Sequence, residues 1–310
     1  MKRLSDQSFK DARDFLMKNG RDLEKSLFRY YFEDGSKEDV LQASKVYQNE
    51  DGGFGNKIEP DFQLEISSPM ATSNAFQIFK ELELSDDHPM IREAMTYLLT
   101  SYDDEKGRWH AVPAEVNDVP HAPWWHYDHE KEQVMVEAAW GNPNAELTGY
   151  LLRYKQLSPE EMTENLKERS LTHFQALDAI DMHETLCYLR LADELSNFDR
   201  KMIIDKVLEH LPELVDTKPE QWSHYGMQPV QVAHNPSSPF YEPLKYSVEE
   251  NLDYIIDQQD GDGAWHPNWE WGQYEYDWPK AKADWKGILT LKNLKLLKSF
   301  DRIESYTVKS

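Results

Sequence analysis

Three histidines and two acids share one short run, His121-Ala-Pro-Trp124-Trp125-His126-Tyr127-Asp128-His129-Glu130. Imidazole beside carboxylate is an acid–base pair, and both groups also ligate zinc. His126 and Asp128 are the candidate base pair, with His129 beside them. The histidine spacing is irregular and no cysteine cluster accompanies it, so no metal and no other cofactor is expected; stoichiometric zinc would make His121, His126 and His129 its ligands. A second source of chemistry is Ile58-Glu59-Pro-Asp61-Phe-Gln-Leu-Glu65. A carboxylic acid enclosed by aromatic rings resists ionisation and can act as a general acid. Asp61 and Glu65 are the candidate acids. A third run, Trp265 to Trp278, interleaves rings with acids. Its Trp265, Trp269, Trp271 and Tyr274, together with Trp124 and Trp125, are candidate substrate walls, since aromatic faces hold cations and also stack on sugars. Asp178, Asp181 and Glu184 recur every three residues beside His183. That spacing puts them on one face of a helix, turned either to water or to a cavity.

The elements that must position these groups follow from a repeat. Gln48-Asn-Glu-Asp-Gly52-Gly-Phe54 and Gln259-Asp-Gly-Asp-Gly263-Ala-Trp265 share Gln, three residues, Gly, one residue, aromatic. Gly107-Arg-Trp109 is a worn copy with Asp103 in place of Gln. Each copy follows a segment with apolar residues three and four apart, Lys37 to Tyr47, Met90 to Tyr102 and Val248 to Gln258, and precedes another at Met70 to Leu84, Ala145 to Lys155 and Lys280 to Phe300. Gly just past a helix is a left-handed cap. The unit is a helix pair. A step of roughly 52–55 residues implies about six pairs. Glu160 to Leu166, Leu171 to Leu195 and Asp199 to Leu211 carry helical periodicity, whereas the prolines between Val215 and Ser247 forbid a long helix. Residues 1–310 are expected to form one all-α domain, an α/α toroid. Gly55 to Ser68, His110 to Asn142 and His266 to Pro279 follow equivalent caps, so these long aromatic loops should meet at one end around a pocket.

The Gln, Gly and aromatic pattern resembles the QW motif of the terpenoid cyclase and protein prenyltransferase superfamily. Its copies here run from residue 48 to 265. The resemblance implies a ring of paired helices in which Gln48 with Phe54 and Gln259 with Trp265 staple the outer layer. The family's chemistry does not carry over residue by residue. The Asp-x-Asp-Asp acid motif is absent, Cys187 lacks the Asp of the zinc site, and neither Asp86-Asp87 nor Asp103-Asp104 begins an Asp-Asp-x-x-Asp magnesium cluster.

Composition bounds the partners. Hydrophobic residues are 39% of the chain and aromatics 12%, enough for a substantial core. Lys and Arg number 34 against 57 Asp and Glu, a net charge of −23 that repels nucleic acid and anionic lipid. No apolar stretch is long enough to span a membrane, and the N-terminus turns polar at once, so a cytoplasmic protein is expected. Cys187 has no partner for a disulfide and reads as a small buried hydrophobe. The partner expected is a small molecule in the ring cavity; oligomeric state is left open. The leading reading is an enzyme for a small hydrophobic or isoprenoid-like substrate. A carbohydrate lyase or hydrolase and a non-catalytic binding protein are the alternatives.

Overall fold

The computed structural model describes residues 1–304. The chain is all-α apart from two small hairpins. Its helices are α1 (Asp6–Asn19), α2 (Asp22–Phe32), α3 (Lys37–Ser44), α4 (Pro69–Glu81), α5 (Pro89–Thr100), α6 (Gly141–Arg153), α7 (Glu160–Ala176), α8 (Met182–Ala192), α9 (Asn197–Leu214), α10 (Pro229–Val232), α11 (Tyr241–Asp257) and α12 (Trp278–Ser299). Strand β1 (Tyr102–Asp103) pairs antiparallel with β2 (Arg108–Trp109), and β3 (Tyr127–Asp128) with β4 (Gln133–Val134). No helix among the described residues is long and apolar enough to cross a membrane.

Two compact units divide the chain. Unit 1 comprises Met1–Ala43, Leu211–Glu270 and the described part of Glu275–Ser310; unit 2 comprises Ser44–His210 and Trp271–Tyr274. In unit 1, α1 and α2 pack on α12, and Leu16, Leu23, Phe28, Leu294 and Leu297 of these helices are buried. In unit 2, α6 packs on α4, α7 and α8, with Phe76 stacked on Tyr150 at 4.7 Å and Phe174 on Tyr188 at 4.1 Å.

Local sequence sets the helix starts. Ser68 caps α4 by accepting the Ala71 N–H, with Pro69 in the first turn, where its missing N–H costs nothing. Asp181 accepts the N–H groups of His183 and Glu184 and so begins α8. That cap breaks the single helix expected over Leu171 to Leu195. Asp178 lies in the turn before it, so Asp178, Asp181 and Glu184 do not share one helical face. The proline-rich stretch Val215 to Ser247 is also more helical than expected. Pro229 starts α10, and Pro243 sits in the first turn of α11, which therefore begins at Tyr241 rather than near Val248.

The repeated motif is a hydrogen-bonded staple. In unit 2 the Gln48 amide donates to the Gly52 carbonyl at 3.0 Å and to the Met90 carbonyl at the start of α5 at 3.4 Å. In unit 1 the Gln259 amide donates to the Gly263 carbonyl at 2.9 Å and to the Ser8 carbonyl at the start of α1 at 2.8 Å. The aromatic residue's backbone N–H then donates to a side chain of a following helix: Phe54 to Thr72, Trp109 to Asn144 and Trp265 to Thr290. The worn copy has no Gln, and the β1–β2 hairpin closes it instead, with the Gly107 N–H on the Asp103 carbonyl at 2.7 Å.

Gly263 has φ +89, and a Cβ there would lie 2.4 Å from the Asp11 carbonyl oxygen. Gly263→Ala is therefore expected to destabilise unit 1 by about 1–3 kcal/mol, from left-handed strain and displacement of α1. Gly261→Ala, with nothing within 4 Å of its added Cβ, should stay within about 0.5 kcal/mol of wild type. Urea unfolding of the two variants checks this. Equal midpoints would refute the close approach.

Candidate functional site

Unit 2 brings its loops together around Phe62 and His121. Residues 61–63 pair with residues 120–122 as a short antiparallel bridge: the Gln63 N–H donates to the Pro120 carbonyl at 2.9 Å and the Ala122 N–H to the Asp61 carbonyl at 2.8 Å. Phe62 meets Trp125 edge-on, ring centroids 5.0 Å apart. The segment Trp271–Tyr274 joins the same cluster. The Trp271 indole N–H donates to Asp61 Oδ1 at 2.9 Å, the Gln273 amide donates to the His121 carbonyl at 2.7 Å, and Tyr274 packs on the His121 ring. Asp61 and Trp271 are both buried. The Asp61 N–H in turn donates to Glu59, whose other carboxylate oxygen accepts from Asn74 on α4.

The two histidines form a directed chain. His121 Nδ1 lies 2.7 Å from the Val119 carbonyl, which can only accept, so Nδ1 carries the proton. Burial lowers the His121 pKa, outweighing the Val119 hydrogen bond that raises it, and the imidazole is neutral with an open Nε2. That nitrogen sits 3.3 Å from His126 Nδ1 and accepts its N–H. In neutral His126 the remaining lone pair is on Nε2, and the residue is exposed. Such an arrangement presents one base in a fixed tautomer. Trp125 is 6% exposed, and its indole N–H has no hydrogen-bond partner among the described residues.

Other sequence candidates lie elsewhere. Glu65 is exposed beside Lys57. Asp128 is not on His126: its Oδ1 accepts the Glu130 and Lys131 N–H groups and its Oδ2 pairs with Lys131, so it shapes the β3–β4 turn. His129 packs against Tyr127. Trp124 is half-buried on the turn before β3. In unit 1, Trp269 packs on Trp285 and Tyr225. Trp265 is 3% exposed, with its indole N–H on the Ile255 carbonyl at 2.7 Å. It is a staple with no face left for a ligand.

His121 and His126 pair with each other while His129 meets Tyr127 edge-on, and the three loop histidines are not a ligand cluster among the described residues. Among the described residues, Asp260, Asp262 and His266 of the unit 1 staple turn do have ligand atoms within 4.8 Å of one another. All are exposed, and Asp262 is already engaged by Lys286 and the Ala264 N–H.

Sequence reasoning missed the buried carboxylates Glu137 and Glu146 of unit 2, and the partners that bury Glu184. Glu137 accepts the Ala111 N–H and lies 3.4 Å from His110. Glu146 takes Gln77, Tyr150 and Arg190. Glu184 takes the Gly141 N–H and His173. Apart from Tyr150, four residues after Glu146, the partners lie 11 to 69 residues away, so little in the spacing announces these contacts. Cys187 is buried beside Glu146, and burial followed by that carboxylate pushes its thiol pKa well up, leaving it inert. No protein-family model, curated protein or solved structure matches the chain.

Proposed function

We propose that the unit 2 loop cluster binds a small, uncharged, largely apolar molecule and performs acid–base chemistry on it, with His126 as the proton carrier. The observation that carries this reading is the chain from the Val119 carbonyl through His121 to His126, set among Phe62, Trp125, Trp271 and Tyr274. Aromatic faces suit an isoprenoid-like skeleton, and the net charge of −23 disfavours its diphosphate. The scaffold we infer is a terpenoid-cyclase-like ring formed by the single chain, in the cytoplasm. What supports closure is that Gln259 of the last staple bonds to the first helix as Gln48 of the first staple bonds to α5. A crystal structure with an open stack of helix pairs would refute the ring.

Farnesol is the probe for the site. Saturable binding, read by tryptophan fluorescence and by the His126 ring nitrogens, should weaken at least about tenfold in His126→Ala, a loss of about 1.4 kcal/mol. Proton transfer needs neutral His121. Because burial holds its folded pKa below the ordinary value of about 6.5, the neutral form persists to lower pH than in a free histidine and is lost as pH falls through the folded pKa. Binding of maltotriose without farnesol would favour the carbohydrate reading, and binding of neither would favour the non-catalytic one.

A further inference from the structure

Asn165, Glu168, Arg169, Thr172 and His173 lie along one face of α7, three and four residues apart, and line an open hollow of about 430 Å³. That volume lies within the range of small-molecule sites. The residues at its polar end are held by partners behind them. His173 Nε2 is 2.8 Å from Glu184 Oε1, and the Glu184 carboxylate is buried on the first turn of α8, where the same oxygen accepts the Gly141 N–H at 2.9 Å. A carboxylate only accepts, so in neutral His173 the proton is on Nε2 and Nδ1 keeps its lone pair. Tyr188 lies parallel to the imidazole, centroids 6.4 Å apart, and Trp140 packs against it at 5.4 Å. Among the described residues, His173 Nδ1 has no hydrogen-bond partner.

Arg169 is fixed in a similar way. Its guanidinium lies 4.6 Å over the Trp140 ring, and Nη1 donates to the Gly107 carbonyl at 2.6 Å. The plane is thereby set while other N–H groups remain to donate. Arg169 and His173 are four residues apart on α7, which places their Cβ atoms about 5–6 Å from each other. One face thus offers a planar cation beside an imidazole whose neutral form has an acceptor at Nδ1. That combination matches a carboxylate with a hydroxyl on the adjacent carbon: the carboxylate oxygens accept from Arg169, and the hydroxyl donates to His173 Nδ1. Glu168, on the same face, opposes a second negative charge.

We propose that this hollow is a binding site for a small 2-hydroxy monocarboxylate, distinct from the loop cluster and independent of its function. Glu184 is a positioning residue that acts through His173.

Mandelate is the probe, with phenylacetate as the same acid lacking the hydroxyl. The expected result is saturable mandelate binding to the whole protein, at least about tenfold tighter than phenylacetate, which is about 1.4 kcal/mol. Arg169→Ala should weaken both acids at least tenfold, His173→Phe should abolish the preference for mandelate, and His126→Ala should change neither. Nitrogen-15 spectra of the His173 ring should show the proton on Nε2 in wild type and lose that bias in Glu184→Gln, with circular dichroism checking that each variant is folded. Equal binding of the two acids, retention of mandelate affinity in Arg169→Ala, or a proton on His173 Nδ1 in the wild type would each overturn the proposal. If the His173 variant does not fold, Arg169→Ala and the wild-type ring spectrum still decide it.

Discussion

Trp265→Ala is expected to cost unit 1 about 3–5 kcal/mol, a large fraction of the roughly 5–15 kcal/mol that holds an ordinary domain together. The indole is 3% exposed, so the substitution removes about 200 Å² of buried aromatic surface, roughly 5 kcal/mol at about 25 cal/mol per Å². Two hydrogen bonds depend on its position. Its indole N–H satisfies the Ile255 carbonyl in the last turn of α11, and its backbone N–H meets Thr290 on α12. Without the ring, the Ile255 carbonyl keeps only the Gln258 N–H and loses its second donor, and the turn linking α11 to α12 loses its filling. The same architecture recurs in unit 2, where the Trp109 indole N–H reaches the Leu98 carbonyl of α5 at 2.7 Å. Trp109→Ala should fall in the same range. Urea unfolding followed by circular dichroism reads both losses. A change below about 0.5 kcal/mol at either position would mean that the staple does not hold its helices.

The staple was legible because its demands are local. A left-handed turn wants Gly, a helix end wants a donor such as Gln to reach a neighbouring carbonyl, and a gap between helices wants a ring; all three fall within seven residues. Gln48 to Phe54 and Gln259 to Trp265 therefore advertise their structure. Residue type was less informative about role. Trp265 and Trp271 sit in one aromatic run, yet the first is wholly engaged by the helices of unit 1 and the second donates to an acid of unit 2. Alternation of rings and acids cannot separate the two, because the difference lies in what each indole N–H meets. Asp128 fails as the partner of His126 for a related reason. Residues two apart on extended backbone share a face, but the N–H groups of Glu130 and Lys131 and the Lys131 ammonium capture the Asp128 carboxylate, while His126 meets His121. His121 is the residue that positions His126, and the signal for it was only that both belong to one histidine-rich run.

The His173–Glu184 pair was beyond reach of spacing altogether. Its members lie on different helices, and the turn between them exists because Asp181 caps α8. A periodic reading joined those helices and assigned Glu184 to a face with Asp178 and Asp181. The correct reading needs the cap, since only a break after Ala176 lets α8 fold back so that Glu184 faces α7. The cap is thus a structural cause of the second proposed site.

Trp271→Ala is expected to cost unit 2 about 3–5 kcal/mol and to loosen the candidate site with it. Trp271 is 2% exposed, and it comes from a segment far along the chain to donate to Asp61, itself 5% exposed. Trp271→Phe separates the two contributions: it keeps most of the apolar volume and removes the indole N–H, leaving a buried carboxylate with one donor fewer. That alone should cost about 1–3 kcal/mol, the penalty for an under-satisfied buried acceptor. A double-mutant cycle with Asp61→Ala assigns the hydrogen bond, because the cost of Trp271→Phe should shrink by about 1 kcal/mol or more once the carboxylate is gone. The structural effect is local. Asp61 carries the backbone carbonyl that receives the Ala122 N–H, and the neighbouring Gln63 N–H meets Pro120, so loosening Asp61 should speed hydrogen exchange at Ala122 and Gln63. His121 sits within that bridge, and through it His126. Trp271→Phe is therefore also expected to weaken farnesol binding, though both histidines remain and a ring is kept at position 271. Additive costs in the cycle, together with unchanged exchange at Ala122, would show that Trp271 packs beside the loops without holding the histidine chain in place.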